Sequence, residues 1–211
     1  VARLTGVARC FRSRAESVVA VSDLSLELHR GELVALVGPS GSGKTTALNL
    51  LLGWEQPDAG TVERTYDRAE GWAAQAVVPQ DLGLLGELTV RQNVAVAARL
   101  CGAPAPPVDE LLAEVGLSAL ADRLPRELSV GEQQRCAVAR AVSCSPVLLA
   151  ADEPTAHQDE RHADMVMEVL ARVAAAGGAV LVLTHDTRLM EAVDRVVSIL
   201  DGRILDPVSP P

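Results

Sequence analysis

The sequence predicts an α/β fold built on a mostly parallel sheet, with a small antiparallel β subdomain at the beginning and a helical insertion in the middle. Three observations lead there. Residues 32–37 (ELVALV), 147–151 (VLLAA) and 179–184 (AVLVLT) are short apolar runs, as expected of strands covered on both faces. The stretches 44–52, 130–143 and 160–176 have helical length and composition, and they supply the crossovers that parallel strands require. The opening is different, because residues 3–11 and 24–29 alternate in character across a charged, turn-like stretch, which predicts an antiparallel hairpin.

Taken in order, the hairpin leads into the strand at 32–37, which ends at Gly38, and the helix at 44–52 follows. Residues 89–120, rich in Ala, Leu and Val at helical spacing and broken by Pro104, Pro106 and Pro107, form the expected insertion. The second core strand ends at Asp152 and Glu153 and the third at His185, while residues 206–211 (DPVSPP) read as a frayed tail. A chain of 211 residues, 48% hydrophobic and 22% charged, is sized for one domain with a substantial core. We expect that core at about 31–88 and 145–205, with the helical subdomain at about 89–144.

The formal charge of -9, without a long basic stretch, argues against nucleic acid as a partner. Arg3, Arg9, Arg12, Arg14, Glu16 and Asp23 interrupt the first 30 residues, which leaves no apolar export segment and predicts a cytoplasmic protein. No apolar run approaches the roughly 18 to 20 residues of a membrane span. Cys10, Cys101, Cys136 and Cys144 form no CxxC pair and are expected as reduced, mostly buried thiols.

Gly38-Pro39-Ser40-Gly41-Ser42-Gly43-Lys44-Thr45-Thr46 fits GxxxxGK[ST] between a predicted strand and a predicted helix, the setting that motif needs. Glycines let backbone N–H groups turn inward around phosphate oxygens, and the helix N-terminus adds partial positive charge. Lys44 is then expected to reach the β- and γ-phosphates and the Thr45 hydroxyl to bind Mg²⁺. Asp152 and Glu153 stand at the carboxyl end of a strand, where open parallel sheets bind ligands. Beside such a loop, Asp152 would hold Mg²⁺ through water and Glu153 would serve as general base for the attacking water.

With these motifs goes Leu128-Ser129-Val130-Gly131-Glu132-Gln133-Gln134-Arg135, which looks like the LSGGQ signature of the ATP-binding cassette (ABC) ATPases. The sequence resembles that family over nearly its whole length and in its motif order. The resemblance implies an ATPase using ATP and Mg²⁺. It makes Gln80 the glutamine that touches Mg²⁺ and links to a transporter, His185 the histidine contacting the γ-phosphate, Asp159 part of a dimer-contacting loop, and Phe11 the aromatic stacking on adenine. It also implies that two cassettes, identical or merely similar, sandwich two ATP molecules, with Ser129, Gly131 and Glu132 of one facing the phosphate loop of the other.

Two positions depart from the signature, Val130 for a glycine and Glu132 for a glutamine. Ser129 and Glu132 still form a capping-box pattern, so the helix start is expected to survive. Val130 excludes positive φ and adds bulk near the expected phosphate, which predicts slow but real turnover. Residues 81–88 (DLGLLGEL) are the candidate docking surface for a separate transmembrane permease, at the inner face of the cell membrane. Within the family the phosphate-loop region looks most like the macrolide-export and lipoprotein-release branch, which favours export. The alternatives are an ATPase that regulates a membrane-bound cell-wall enzyme complex, and a non-transport ATPase acting on nucleic acid.

Overall fold

The computed structural model describes residues 1–12, 17–66, 74–102 and 107–205. Strands β3 (Leu33–Val37), β6 (Leu148–Asp152) and β7 (Ala179–Thr184) are buried at every residue, as continuous apolar runs require when both faces of a sheet are covered. They form the centre of a six-stranded sheet in the order β5-β6-β7-β3-β8-β9, in which β5 is Gln75–Val78, β8 is Arg195–Leu200 and β9 is Arg203–Ile204. All its pairings are parallel except β8 with β9. Alternate side chains enter different cores: Leu148 and Ala150 face one, and Leu149 and Ala151 the other.

The first core is closed by helix α1 (Lys44–Leu52) and by a three-stranded antiparallel sheet of β1 (Ala2–Arg12), β2 (Ser17–Leu28) and β4 (Ala59–Arg64) in the order β2-β1-β4. The hairpin is present, and its second strand starts at Ser17 instead of residue 24. Val18, Val19 and Val21 continue the extended run that the charged residues around them obscure in the sequence. Strand β4 was not expected. Mostly exposed and without a strong apolar pattern, it is a strand because β1 offers it a ladder from Ala2↔Arg64 to Ala8↔Ala59.

The second core packs under α2 (Val90–Leu100), α3 (Val108–Glu114), α4 (Val130–Val142) and α5 (Glu160–Ala175). The start of α2 is fixed by a capping box in which Thr89 accepts from the Gln92 N–H while Gln92 accepts from the Thr89 N–H. The packing of α2 on α4 also overturns one expectation about the cysteines. Cys101 caps the end of α2, Cys144 lies just beyond α4, and the two are joined as a disulfide with Cα atoms 5.7 Å apart. A separation of 43 residues hides that neighbourhood from any spacing rule. Cys10 and Cys136 are free thiols, and burial pushes the Cys136 thiol up to about 12. The bridge at 13–16, much of the stretch between β4 and β5, and the expected tail at 206–211 lie outside the described residues.

Candidate nucleotide site

Parallel register brings the chemistry to one edge of the sheet. Val37 pairs with Thr184 and Asp152 with Leu183, so the phosphate loop after β3, the carboxylates ending β6 and His185 after β7 emerge side by side. Gly43 caps α1 at φ 101°, and a Cβ there would lie 2.4 Å from the Ala20 carbonyl oxygen, so no other residue fits. No side chain caps α1 and its first turn holds no acidic residue, which leaves its N-terminal N–H groups free to meet an anion. Lys44 folds back over the loop, its Nζ donating to the Gly38 oxygen at 2.7 Å and to the Pro39 oxygen at 3.1 Å.

A cavity of about 780 Å³ is bounded on one side by Pro39, Ser40, Gly41, Gly43, Lys44, Thr45 and Thr46, and on the other by Gln80, Asp152, Glu153 and His185. Val18, Val19 and Ala20 of β2, residues that sequence reasoning passed over, also line it, as do Leu82, Val130, Gln134, Ala156 and His157. Gly38 and the buried Ser42 lie behind the loop and do not line the cavity. Phe11 pairs with Val18 in the hairpin, is 40% exposed and carries the Arg9 guanidinium 4.9 Å from its ring centre, also outside the lining.

Thr45 Oγ1 donates to Asp152 Oδ2 at 3.4 Å. Burial and the neighbouring Glu153 raise the Asp152 carboxyl above its ordinary range, against the pull of Lys44 and the Thr45 hydrogen bond. A hydroxyl and a buried carboxylate are hard oxygen donors of the kind Mg²⁺ accepts. Among the described residues no group of three or more His, Cys, Asp and Glu could hold a metal ion.

Glu153 is held on every side. Its backbone is left-handed at φ 50°, an uncommon conformation for a side-chain-bearing residue, kept there by the Glu153 N–H donating to the Leu183 oxygen at 2.8 Å. Thr184 Oγ1 donates to Glu153 Oε2 at 3.1 Å, and His185 Nδ1 lies 2.6 Å from Oε1. Against an ionised carboxylate that contact requires the proton on Nδ1. Gln134 Nε2 of α4 donates to the Glu153 carbonyl.

The start of α4 is built as its sequence pattern predicts. Ser129 Oγ accepts from the Glu132 N–H at 3.3 Å, and Glu132 Oε2 accepts from the Ser129 N–H at 2.7 Å and from the Ser129 hydroxyl at 2.8 Å. Those bonds, the backbone one first, hold the Glu132 carboxyl below its usual range. Val130 is the first helical residue and is not in the positive-φ region, so its backbone accepts a β-branched side chain; its side chain is 54% exposed and lines the cavity. Gly131 has a different reason to be glycine, since a Cβ there would sit 2.9 Å from the His157 carbonyl oxygen. Ser129, Gly131 and Glu132 do not line the cavity of their own chain. Asp159 is also outside it and caps α5, accepting from the His162 N–H at 2.9 Å.

These features agree with the comparisons to known proteins. The ABC transporter family profile matches residues 21–156. The lipoprotein-releasing system ATP-binding protein LolD of Gluconobacter oxydans is 40% identical, over 96% of this chain and 94% of its own length. The chain belongs to the ABC transporter family. The cell division ATP-binding protein FtsE of Mycobacterium tuberculosis is 39% identical over 88% of this cassette and 87% of its own length. Among solved structures, a dimeric post-hydrolysis state of the ATP-binding cassette MJ0796 bound to ADP and Pi superposes with a TM-score of 0.87 at 28% identity, covering 99% and 98% of the two chains. This cassette is an ATPase that uses ATP and Mg²⁺.

Two residues that sequence reasoning missed shape the loop after Gln80. Arg140 of α4 donates to the Gly83 oxygen at 2.6 Å and the Leu82 oxygen at 2.8 Å. Buried Asn93 accepts from the Leu85 N–H and donates to the oxygens of Leu85, Leu88 and Thr89. Their only sequence signal is a polar residue on an apolar helix face. The loop so held presents Leu85, 48% exposed, to an apolar cavity of about 620 Å³ that Trp54 (56%), Leu100 (63%) and the Cys101–Cys144 bridge also line.

Proposed function

We propose that this ABC ATPase powers export through a separate permease, seated on its cytoplasmic face and driven by ATP-dependent pairing with a second cassette, identical or similar. The observation that carries the reading is the placement of Glu153. Its carboxylate, oriented by His185 and Thr184, shares one cavity with Lys44 and with the Thr45–Asp152 pair. In this reading Lys44 and the N–H groups of α1 hold the β- and γ-phosphates, and Glu153 accepts a proton from the attacking water. Thr45, Asp152 and Gln80 would hold Mg²⁺, which when bound neutralises phosphate charge. Ser129, Gly131 and Glu132 do not line the cavity of their own chain, which leaves them available in this reading to complete the site of a second copy. The exposed apolar side chains of Trp54, Leu85 and Leu100 supply a surface for the permease, and no helix among the described residues is long and apolar enough to cross a membrane.

The test is Glu153→Gln, which keeps the shape of the side chain and removes the base. ATP should convert this variant from monomer to dimer on a sizing column, with turnover abolished. A variant that stays monomeric in saturating ATP overturns the paired site. A second reading, in which the same cycle works a membrane protein controlling a cell-wall enzyme, draws on the likeness to the cell division ATP-binding protein. Identifying the membrane partner that co-purifies separates the two.

A further inference from the structure

Two glutamine amides cross the seam between α4 and the turn that begins at Glu153, in opposite directions. From the helix, Gln134 Nε2 donates to the Glu153 carbonyl. From the turn, Gln158 Nε2 donates to the Gly131 carbonyl at 2.8 Å. Positions 131, 134 and 135 share one face of the first turns of α4, so both bonds act on the same side of the helix. Arg135 completes the arrangement. Its Nη1 donates to Gln158 Oε1 at 2.7 Å and its Nε to the Val115 carbonyl at 2.9 Å, which anchors the amide from behind with a buried guanidinium.

Backbone geometry keeps the seam tight. The turn from Glu153 to His157 begins and ends on left-handed residues, at φ 50° and φ 60°, and closes with the Ala156 N–H on the Glu153 oxygen at 3.1 Å. His157 thereby puts its carbonyl where any side chain at 131 would collide with it. The turn therefore cannot shift as a unit without either breaking the two amide bonds or carrying the start of α4 with it. The opposite edge of that helix start, at Ser129 and Val130, is exposed.

We infer that Gln158 is a positioning residue, its amide fixing the start of α4 to the turn that carries Glu153, so that the chain's own hydrolysis site sets the orientation in which Gly131 is offered to a second copy. Neither Gln158 nor Gly131 lines the nucleotide cavity of its own chain, and the inferred effect passes through the start of α4. The inference rests on the paired-site reading above.

The test uses the full chain and two substitutions that separate the two bonds. Gln158→Leu loses both. Gln158→Glu keeps an acceptor for Arg135, now charged, and turns an oxygen toward the Gly131 carbonyl in place of the donor. Each is made alone for kinetics and in the Glu153→Gln background for dimerisation. Both should leave the affinity of the monomer for Mg-ATP unchanged, because the phosphate loop is untouched. Both should raise the ATP concentration needed to form the dimer about tenfold and lower kcat by a similar factor, the effect of losing the part-buried bond to the Gly131 carbonyl, which is the loss the two variants share. Wild-type behaviour of Gln158→Glu alongside an impaired Gln158→Leu would show that only the Arg135 contact matters and would overturn the inference. So would unchanged dimerisation in both. If the Glu153→Gln parent itself fails to dimerise, the paired-site reading has failed, which is a different result from either.

Discussion

Helices α1 and α4 both begin at the nucleotide chemistry of this cassette, yet their N-termini are finished in opposite ways. Helix α1 starts from an uncapped left-handed glycine with no acidic side chain in its first turn. Helix α4 starts from Ser129 with Glu132 folded back onto the Ser129 N–H and hydroxyl, which sets a carboxylate beside the positive end of its dipole. The first terminus is ready for phosphate as it stands. On the paired-site reading proposed above, a phosphate brought to the second terminus would meet the negative charge of Glu132, so that terminus would contribute less attraction than one with a neutral residue at 132. On that reading one chain would carry a strong half-site and a weak one.

The largest way to break that comparison is Lys44→Ala. Losing a charge-assisted contact costs about 1.5–3 kcal/mol, so Mg-ATP affinity should fall roughly 10- to 150-fold by calorimetric titration. An unchanged affinity would sink the strong half-site. Next come the adjacent positions 130 and 131, where the structure expects opposite outcomes. Gly131→Ala forces a methyl group against the His157 carbonyl, a cost of about 1–3 kcal/mol, and should lower steady-state ATPase about tenfold with little change in Mg-ATP affinity. Val130→Gly meets no such contact, and it should raise turnover about two- to threefold, at about 0.5 kcal/mol of helix stability in urea unfolding. No gain in that variant would show that Val130 is not what limits the weak half-site.

The smallest effect sharpens the electrostatic part. Glu132→Gln keeps the cap and removes the charge at the α4 terminus, which at about 0.3–1 kcal/mol should favour ATP-dependent dimerisation by about two- to fivefold, and less so in high salt. The same carboxylate gives stability a pH dependence. Its folded pKa lies below the unfolded value, so its contribution is complete above the ordinary glutamate range and is lost as the pH falls through the lowered value. Chemical denaturation of wild type and Glu132→Gln across the acid range should show the wild type losing stability more steeply in that window.

Much of the fold and the site was legible in the chain because it is local. Strand β3, the glycine loop and α1 are contiguous, and the loop's conformation depends on which of its own residues are glycine. The capping box at Ser129 and Glu132 spans four residues and is built as the pattern predicts. The fold class and the two carboxylates ending β6 could be read from apolar runs and the polar residues that end them. Strands β4, β5 and β8 could not. The first is a strand through its partner β1, the second is only four residues long, and the third is a short run in which Ser198 interrupts the apolar pattern. Asn93 and Arg140 look in sequence like ordinary polar residues on helices, and only the carbonyls of residues 82–89 that they satisfy give them a role.

By itself the sequence determined the phosphate loop, the helix starts and the sheet-forming runs, since turn chemistry, capping and hydrophobic pattern act over a few residues. Tertiary structure decided the contacts between residues far apart in the chain: the Cys101–Cys144 bridge, the β2 wall of the nucleotide cavity and the amide seam from Gln158 to Gly131. These depend on where packed helices and parallel strands bring distant backbone together. For Gly131 the deciding neighbour, the His157 carbonyl, lies 26 residues away in sequence (157 − 131) and would be only 2.9 Å from a Cβ at that position.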